Sequence, residues 1–139
     1  MIKFTDDLMK KSLAGFGEFY KYPVYASIDC RSSFFRSYNT KAGFVAVTDT
    51  GKLLVSEYYV LGTEKKYIFP LQNLEKIKIR KLAFLPIYKI KILFVDNSRK
   101  FRIDINVSLK VYGHEFTEQE QNAMNFIETL QNRQNFLKR

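Results

Sequence analysis

A chain of 139 residues fits a single domain, long enough to bury roughly two thirds of its unfolded surface without help from a metal or disulfide. Hydrophobic residues make up 46% of it, with 13 Phe, 9 Tyr and no Trp, a composition that argues against disorder. The formal charge of +9 favours anionic partners, but net charge sets solubility and encounter rates and names no ligand.

Cys30 is the sole cysteine, so no intrachain disulfide forms; the reading is a cytosolic compartment and a buried, unreactive thiol. The first 16 residues place Asp6 and Asp7 before Lys10 and Lys11 and lack the long apolar core of a secretion signal, so no export is expected. The longest apolar runs, such as residues 83–88, fall far short of the about 20 residues that cross a bilayer as a helix. The expected location is the cytoplasm, at most peripheral to the inner face of the membrane.

Residues 1–17 read as a short helical extension. Thr5 caps it, Asp6 and Asp7 suit the positive end of the helix dipole, Leu8, Met9 and Leu13 share a face, and Gly15 and Gly17 end it. An aromatic stretch follows, with Phe16, Phe19, Tyr20, Tyr22, Tyr25, Phe34, Phe35 and Tyr38, interrupted by Pro23 and containing a strand over residues 24–30. Large apolar residues are mostly inside, so core packing takes precedence over a groove; this segment is also where a homo-oligomer contact would form. Residues 43–47 and 53–60 then form a hairpin about Asp49, Thr50 and Gly51. A turn over residues 61–66 centred on Gly62 leads to a short run, Tyr67, Ile68, Phe69, that Pro70 marks as an edge or a strand end.

Period-two alternation dominates residues 74–105. Ile77 and Ile79 lie between Lys76, Lys78 and Arg80; Tyr88, Ile90 and Ile92 surround Lys89 and Lys91; Phe101, Ile103 and Ile105 surround Arg102 and Asp104. Successive side chains on a strand point to opposite faces, so these are half-buried antiparallel strands with one wet, basic face. Between residues 76 and 102 nine Lys and Arg stand against one acid, Asp96, so the segment carries +8 of the formal +9. Odd positions stay apolar from Phe101 to Val111, which implies a bent strand or two strands meeting near Asn106. The chain closes on an amphipathic helix over residues 117–135. Thr117 and Glu120 form a capping box, Ala123, Phe126, Ile127 and Leu130 form one apolar stripe, Phe136 and Leu137 extend it, and the polar tail from residue 131 frays.

The order is mainly β: about seven antiparallel strands, a C-terminal α-helix that caps them, and a short N-terminal helix, in one domain over residues 1–139. Gly43, Phe44, Val45, Ala46, Val47, Thr48, Asp49, then Leu53, Leu54 and Val55, resemble a strand pair of bacterial pleckstrin-homology-like (PH-like, GRAM-type) domains. Tyr67, Ile68, Phe69, Pro70 and Leu71, with Leu74 and Ile77, resemble the next strand of those families. With the terminal helix the resemblance covers roughly residues 42–130 and implies a PH-like barrel. Phosphoinositide-binding members of the family use cations around the loop between the first two strands. Here that loop, residues 30–41, offers Arg31, Arg36 and Lys41 without the close Arg-x-Arg spacing, so the resemblance does not extend to inositol phosphates. Fold alone does not choose among binding roles.

The leading expectation is a noncatalytic intracellular binding module that docks a protein or peptide by a strand edge or the groove beside the helix. The alternative is peripheral attachment to an anionic membrane lipid surface through an anion-binding set: Lys76, Lys78, Arg80, Lys89, Lys91, Lys100 and Arg102, each contributing about 1 kcal/mol near such a surface. The plain reading of the same residues is a solvated face whose charge prevents edge-to-edge aggregation. Nucleic-acid binding is disfavoured beyond a nonspecific, salt-sensitive phosphate affinity: Tyr88, Phe94 and Phe101 take the inward phase while stacking platforms need rings beside cations. No catalytic residue, metal or cofactor is expected. His114 is the single histidine, beside Gly113 and Glu115, and no spacing of His, Cys or Gly builds a metal or phosphate site.

Overall fold

The computed structural model describes residues 2–32, 41–59, 62–111 and 116–137. Helix α1 spans Asp6–Ala14. It is followed by β1 (Tyr20–Ser32), β2 (Lys41–Thr48), β3 (Lys52–Tyr58) and β4 (Glu64–Pro70). A single 3-10 turn, Leu71–Asn73, leads into β5 (Leu74–Lys81), β6 (Ile87–Asp96) and β7 (Arg99–Ser108), and α2 (Gln119–Leu137) closes the chain.

The strands form one antiparallel sheet in the order β4-β3-β2-β1-β7-β6-β5. Two meanders, β1 to β4 and β5 to β7, are thus joined where β1 meets β7. β1 is long enough to serve both: Tyr20 to Ile28 pair with β2, and Ser27 to Ser32 pair with β7. Its register shifts between Lys21 and Val24, where Tyr22 takes a φ of +57°, so a bulge bends the strand at the point the sheet must turn. Gly51, at φ +76°, supplies the left-handed backbone for the expected β2–β3 hairpin.

Alternation fixes one continuous inner face. Val24, Ala26 and Ile28, then Val45 and Val47, Leu53 and Val55, Ile77, Ile90 and Ile92, and Ile103, Ile105 and Val107 all meet in one core. The sheet rolls over this core far enough for Phe69 of β4 to stack on Phe94 of β6, centroids 5.0 Å apart and planes 13° apart. It does not close: β4 and β5 remain the two edges, so the barrel expected from sequence is an open, curled sheet. The stripe of α2 (Ala123, Phe126, Ile127, Leu130) fills the inner core against β1 and β5, and Gln134 Nε2 donates to the Ile77 carbonyl at 3.0 Å.

A second, smaller core lies on the outer face. Met9 and Leu13 of α1 cover Phe44, Ala46 and Leu54, ringed by Phe4, Phe16, Tyr20, Tyr25, Tyr58 and Phe116. β2 is therefore buried on both faces, which accounts for its unbroken apolar run from Phe44 to Val47. Helix α1 forms as expected, with the Thr5 hydroxyl accepting from Leu8 N–H at 3.1 Å and Gly15 ending it. The early aromatics do pack in the cores, apart from Phe19, which is 90% exposed; Phe34, Phe35 and Tyr38 lie outside the described residues.

One open alternative is settled and two local expectations change. β7 is one strand ending at Ser108; Leu109 N–H still donates in register to the Pro86 carbonyl, 2.8 Å away, but Pro86 has no N–H with which to continue the ladder. The capping box does not set the start of α2: the Thr117 hydroxyl and N–H both donate to Asp6 Oδ2 of α1, and the first helical bond runs from Asn122 N–H to the Glu118 carbonyl. The tail expected to fray is helical through Leu137, with Phe136 and Leu137 exposed rather than extending the buried stripe.

Candidate anion-binding face

Strand pairing decides which cations meet. In the β5–β6 ladder Lys78 stands opposite Lys91 and Arg80 opposite Lys89. Ile77, Ile79, Ile90 and Ile92 occupy the alternate positions and pack inward, so all four cations project from the outer face, where they are exposed. Together they line one shallow depression of about 100 Å³. None of the four has an ion-pair partner among the described residues. Like charges directly opposite on a ladder repel, so the arrangement costs the fold something rather than stabilising it.

The other three expected residues are only partly drawn in. Lys76 and Arg102 share the next row of the same face, on either side of Leu93. Lys100 lies opposite Val95 near the far end of the β6–β7 hairpin. There, with Arg99 and Asp96, it rims an apolar depression of about 360 Å³ floored by Phe69, Phe94 and Phe101 beside the edge strand β4. On the other side of the cation rows, Lys91 faces Asp104 and Asp104 faces Asp29, so that row ends toward β1 at two acids, whereas Arg102 in the next row stands opposite Arg31 of β1. Phe94 is buried and Tyr88 and Phe101 are half-buried, all packed on the inner core, so no exposed ring shares the basic face at these positions.

Chemistry-bearing groups gather in two other places. On the inner face Glu57 is almost fully buried (1% exposed), with Oε2 accepting from Cys30 N–H at 3.3 Å and Oε1 lacking a hydrogen-bond partner. Burial raises its pKa above the ordinary value, opposed by the Lys41 ammonium and the Cys30 N–H. Burial foremost, and the Glu57 charge next, push the Cys30 thiol upward, so it stays protonated and is a poor nucleophile. On the outer face Glu64 Oε2 accepts from Ser12, Ser56 and Tyr58, tying α1 to β3 and β4. Burial alone would raise Glu64, but these three hydroxyls and Lys66 outweigh it and hold the carboxyl below its usual range.

Among the described residues no three His, Cys, Asp or Glu side chains cluster as a metal site would require. His114, Gly113, Glu115 and Arg36 lie outside the described residues, as does the Arg31 side chain. No described helix is long and apolar enough to cross a membrane.

Sequence reasoning joins the two basic strands through Pro86 but gives no role to the apolar tip of that β5–β6 loop. Leu82 N–H bonds the Ile87 carbonyl at 2.9 Å, closing a four-residue loop whose Phe84 is fully solvent-exposed and Leu85 50% exposed. The signal that could find it is the short apolar run before Pro86, set between two strands whose cations share a face. No protein-family model matches this chain, and no curated protein matches it.

Proposed function

We propose that this chain is a noncatalytic binding module of PH-like architecture that docks on an anionic surface through the outer face of β5, β6 and β7. Support for the PH-like reading comes from the two antiparallel meanders joined through β1 and β7, with a terminal amphipathic helix filling the opening of the curled sheet. The observation that carries the functional reading is the four-cation depression: Lys78, Arg80, Lys89 and Lys91 line it in two like-charged cross-strand pairs with no acid in the lining, Asp104 standing across from Lys91 on β7, and an anion placed there relieves their mutual repulsion. A noncatalytic role agrees with a thiol held protonated and with Glu64 committed to three hydroxyls.

The test compares two doubly substituted proteins of equal net charge on an immobilised sulfated polysaccharide. Lys89→Glu/Lys91→Glu should elute at much lower salt than the native chain, while Lys10→Glu/Lys11→Glu on α1 should shift little. Equal shifts for the two would reduce the face to a contributor of net charge and end the proposal. Docking of a protein or peptide is the second reading, favoured by the edge strand β4 lying beside the apolar depression at Phe69, Phe94 and Phe101.

A further inference from the structure

The loop joining β5 to β6 is built against its own interest. Phe84 sits at its tip with φ +66°, a left-handed backbone that a bulky aromatic adopts only under strain, and its ring touches no core. Strain of this kind is ordinarily held in place by packing around the side chain. Here the side chain is fully in water, and Ala83 and Leu85 beside it are exposed too. An aromatic kept at this position contributes nothing visible to the isolated fold.

The tip stands at the end of the basic hairpin. Arg80 and Lys89 lie three residues behind the two ends of the loop, which at strand rise is about 10 Å. Lys78 and Lys91 follow on the same face, and exposed Lys81 flanks the loop directly. An apolar point with cations about 10 Å behind it matches the profile of an anionic membrane leaflet, whose hydrocarbon begins beneath a layer of charged headgroups several ångströms deep. A folded anionic protein offers no such depth gradient unless it has a dedicated pocket.

We infer that residues 83–85 insert into the hydrocarbon boundary of an anionic lipid bilayer while Arg80, Lys81, Lys89 and Lys91 hold the headgroups. This names the surface left general above and rests on that reading of the cationic face. Docked so, the β5–β6 hairpin points down into the membrane, and burial of Phe84 and Leu85 adds a salt-resistant component to an attraction that salt otherwise screens.

Because the chain has no tryptophan, Phe84→Trp gives a single reporter at the tip. On vesicles of phosphatidylcholine with phosphatidylserine its emission should shift to the blue and become protected from an aqueous quencher, with no change on phosphatidylcholine alone. Phe84→Ser should lower partitioning onto the anionic vesicles about tenfold or more. Phe84→Gly should lower it similarly while raising the melting temperature, since glycine carries no penalty at this φ. Vesicles that bind the Phe84→Trp protein while its emission stays that of an exposed indole would overturn insertion and leave electrostatic docking standing. Polysaccharide retention without any vesicle binding would overturn the lipid assignment and favour a protein partner. Loss of both would overturn the cationic face as well.

Discussion

The side-chain amide of Gln119 holds both backbone groups of Tyr25: Oε1 accepts the Tyr25 N–H at 3.1 Å and Nε2 donates to the Tyr25 carbonyl at 2.9 Å. The same Nε2 also donates to the Ser108 carbonyl at 2.8 Å. In the β1–β7 register Ser27 faces Asn106, so Tyr25 and Ser108 would form the next rung, and the first residue of α2 is inserted between them. The helix thereby replaces one rung of the sheet where β1 and β7 part.

That replacement makes Gln119 a structural residue out of proportion to its polarity. Gln119→Leu leaves part-buried backbone groups of Tyr25 and Ser108 without this partner and should cost about 1–3 kcal/mol. Gln119→Glu at neutral pH keeps an acceptor for the Tyr25 N–H but brings a carboxylate against two carbonyls, so it should cost more. Urea denaturation of both variants is the check; a loss below about 0.5 kcal/mol in each would mean that α2 docks by its apolar stripe alone.

Two glutamates should give stability opposite pH signatures. Glu57 has a folded pKa raised above its ordinary value of 4.5, so the unfolded chain ionises first and stability falls as pH climbs from 4.5 through the folded value. Glu57→Gln should therefore be the more stable protein at neutral pH, its advantage fading below 4.5. Glu64 is lowered, so its contribution is full above 4.5 and is lost as pH drops through the folded value. Glu64→Gln should be less stable at neutral pH and converge with the native chain in acid. Urea midpoints across roughly pH 3 to 8, on the order of one point per unit, would decide it; gaps independent of pH would contradict both assignments.

The pattern of β5 and β6 was legible because over residues 76–80 and 88–92 apolar or aromatic inward positions alternate with cationic outward ones. Ile77, Ile79, Ile90 and Ile92 against Lys78, Arg80, Lys89 and Lys91 determine face and register together, since a slip of one residue would bury the cations. The Thr5 cap was legible for a similar reason, being local. Gln119 was not, because nothing within its own turn distinguishes a surface glutamine from one that completes a distant rung. Thr117 carried a correct local motif that lost to a nonlocal partner, Asp6, 111 residues away. Glu57 is the one charged residue within the run 53–60, and period two alone places it inward with Leu53 and Val55 without saying that the sheet curls over it. Phe84 escaped because an exposed aromatic and a buried one look alike in sequence; only the positive φ and the exposure separate them.

Gly43 is fixed by proximity between strands. A methyl group there would overlap the Ser56 carbonyl oxygen and stand 2.9 Å from Ile28 Cδ1, so β2 and β3 would have to separate between two cores. Gly43→Ala should destabilise by about 1–3 kcal/mol, as overpacking usually does, where Gly17→Ala meets no neighbouring atom and suffers only from its φ of +71°. Thermal melts of the pair would test it, and a neutral Gly43→Ala would show that the two strands have slack the packing does not reveal.

A cationic face kept for binding differs in its energetics from one kept for solubility. Lys78 lies on the edge strand β5, so its one cross-strand neighbour is Lys91. Lys78→Glu turns a like-charge pair into an attractive one and should raise stability by a few tenths of a kcal/mol, up to about 1. The same substitution puts a carboxylate into the depression shared by Arg80, Lys89 and Lys91 and should weaken retention on a polyanion severalfold. A protein that grows more stable as it loses anion binding has its lysine placed at the expense of the fold, as binding surfaces are and solvated ones need not be. If Lys78→Glu instead left retention unchanged, or promoted aggregation through the β5 edge, the cations would be guarding the sheet and not recognising a ligand.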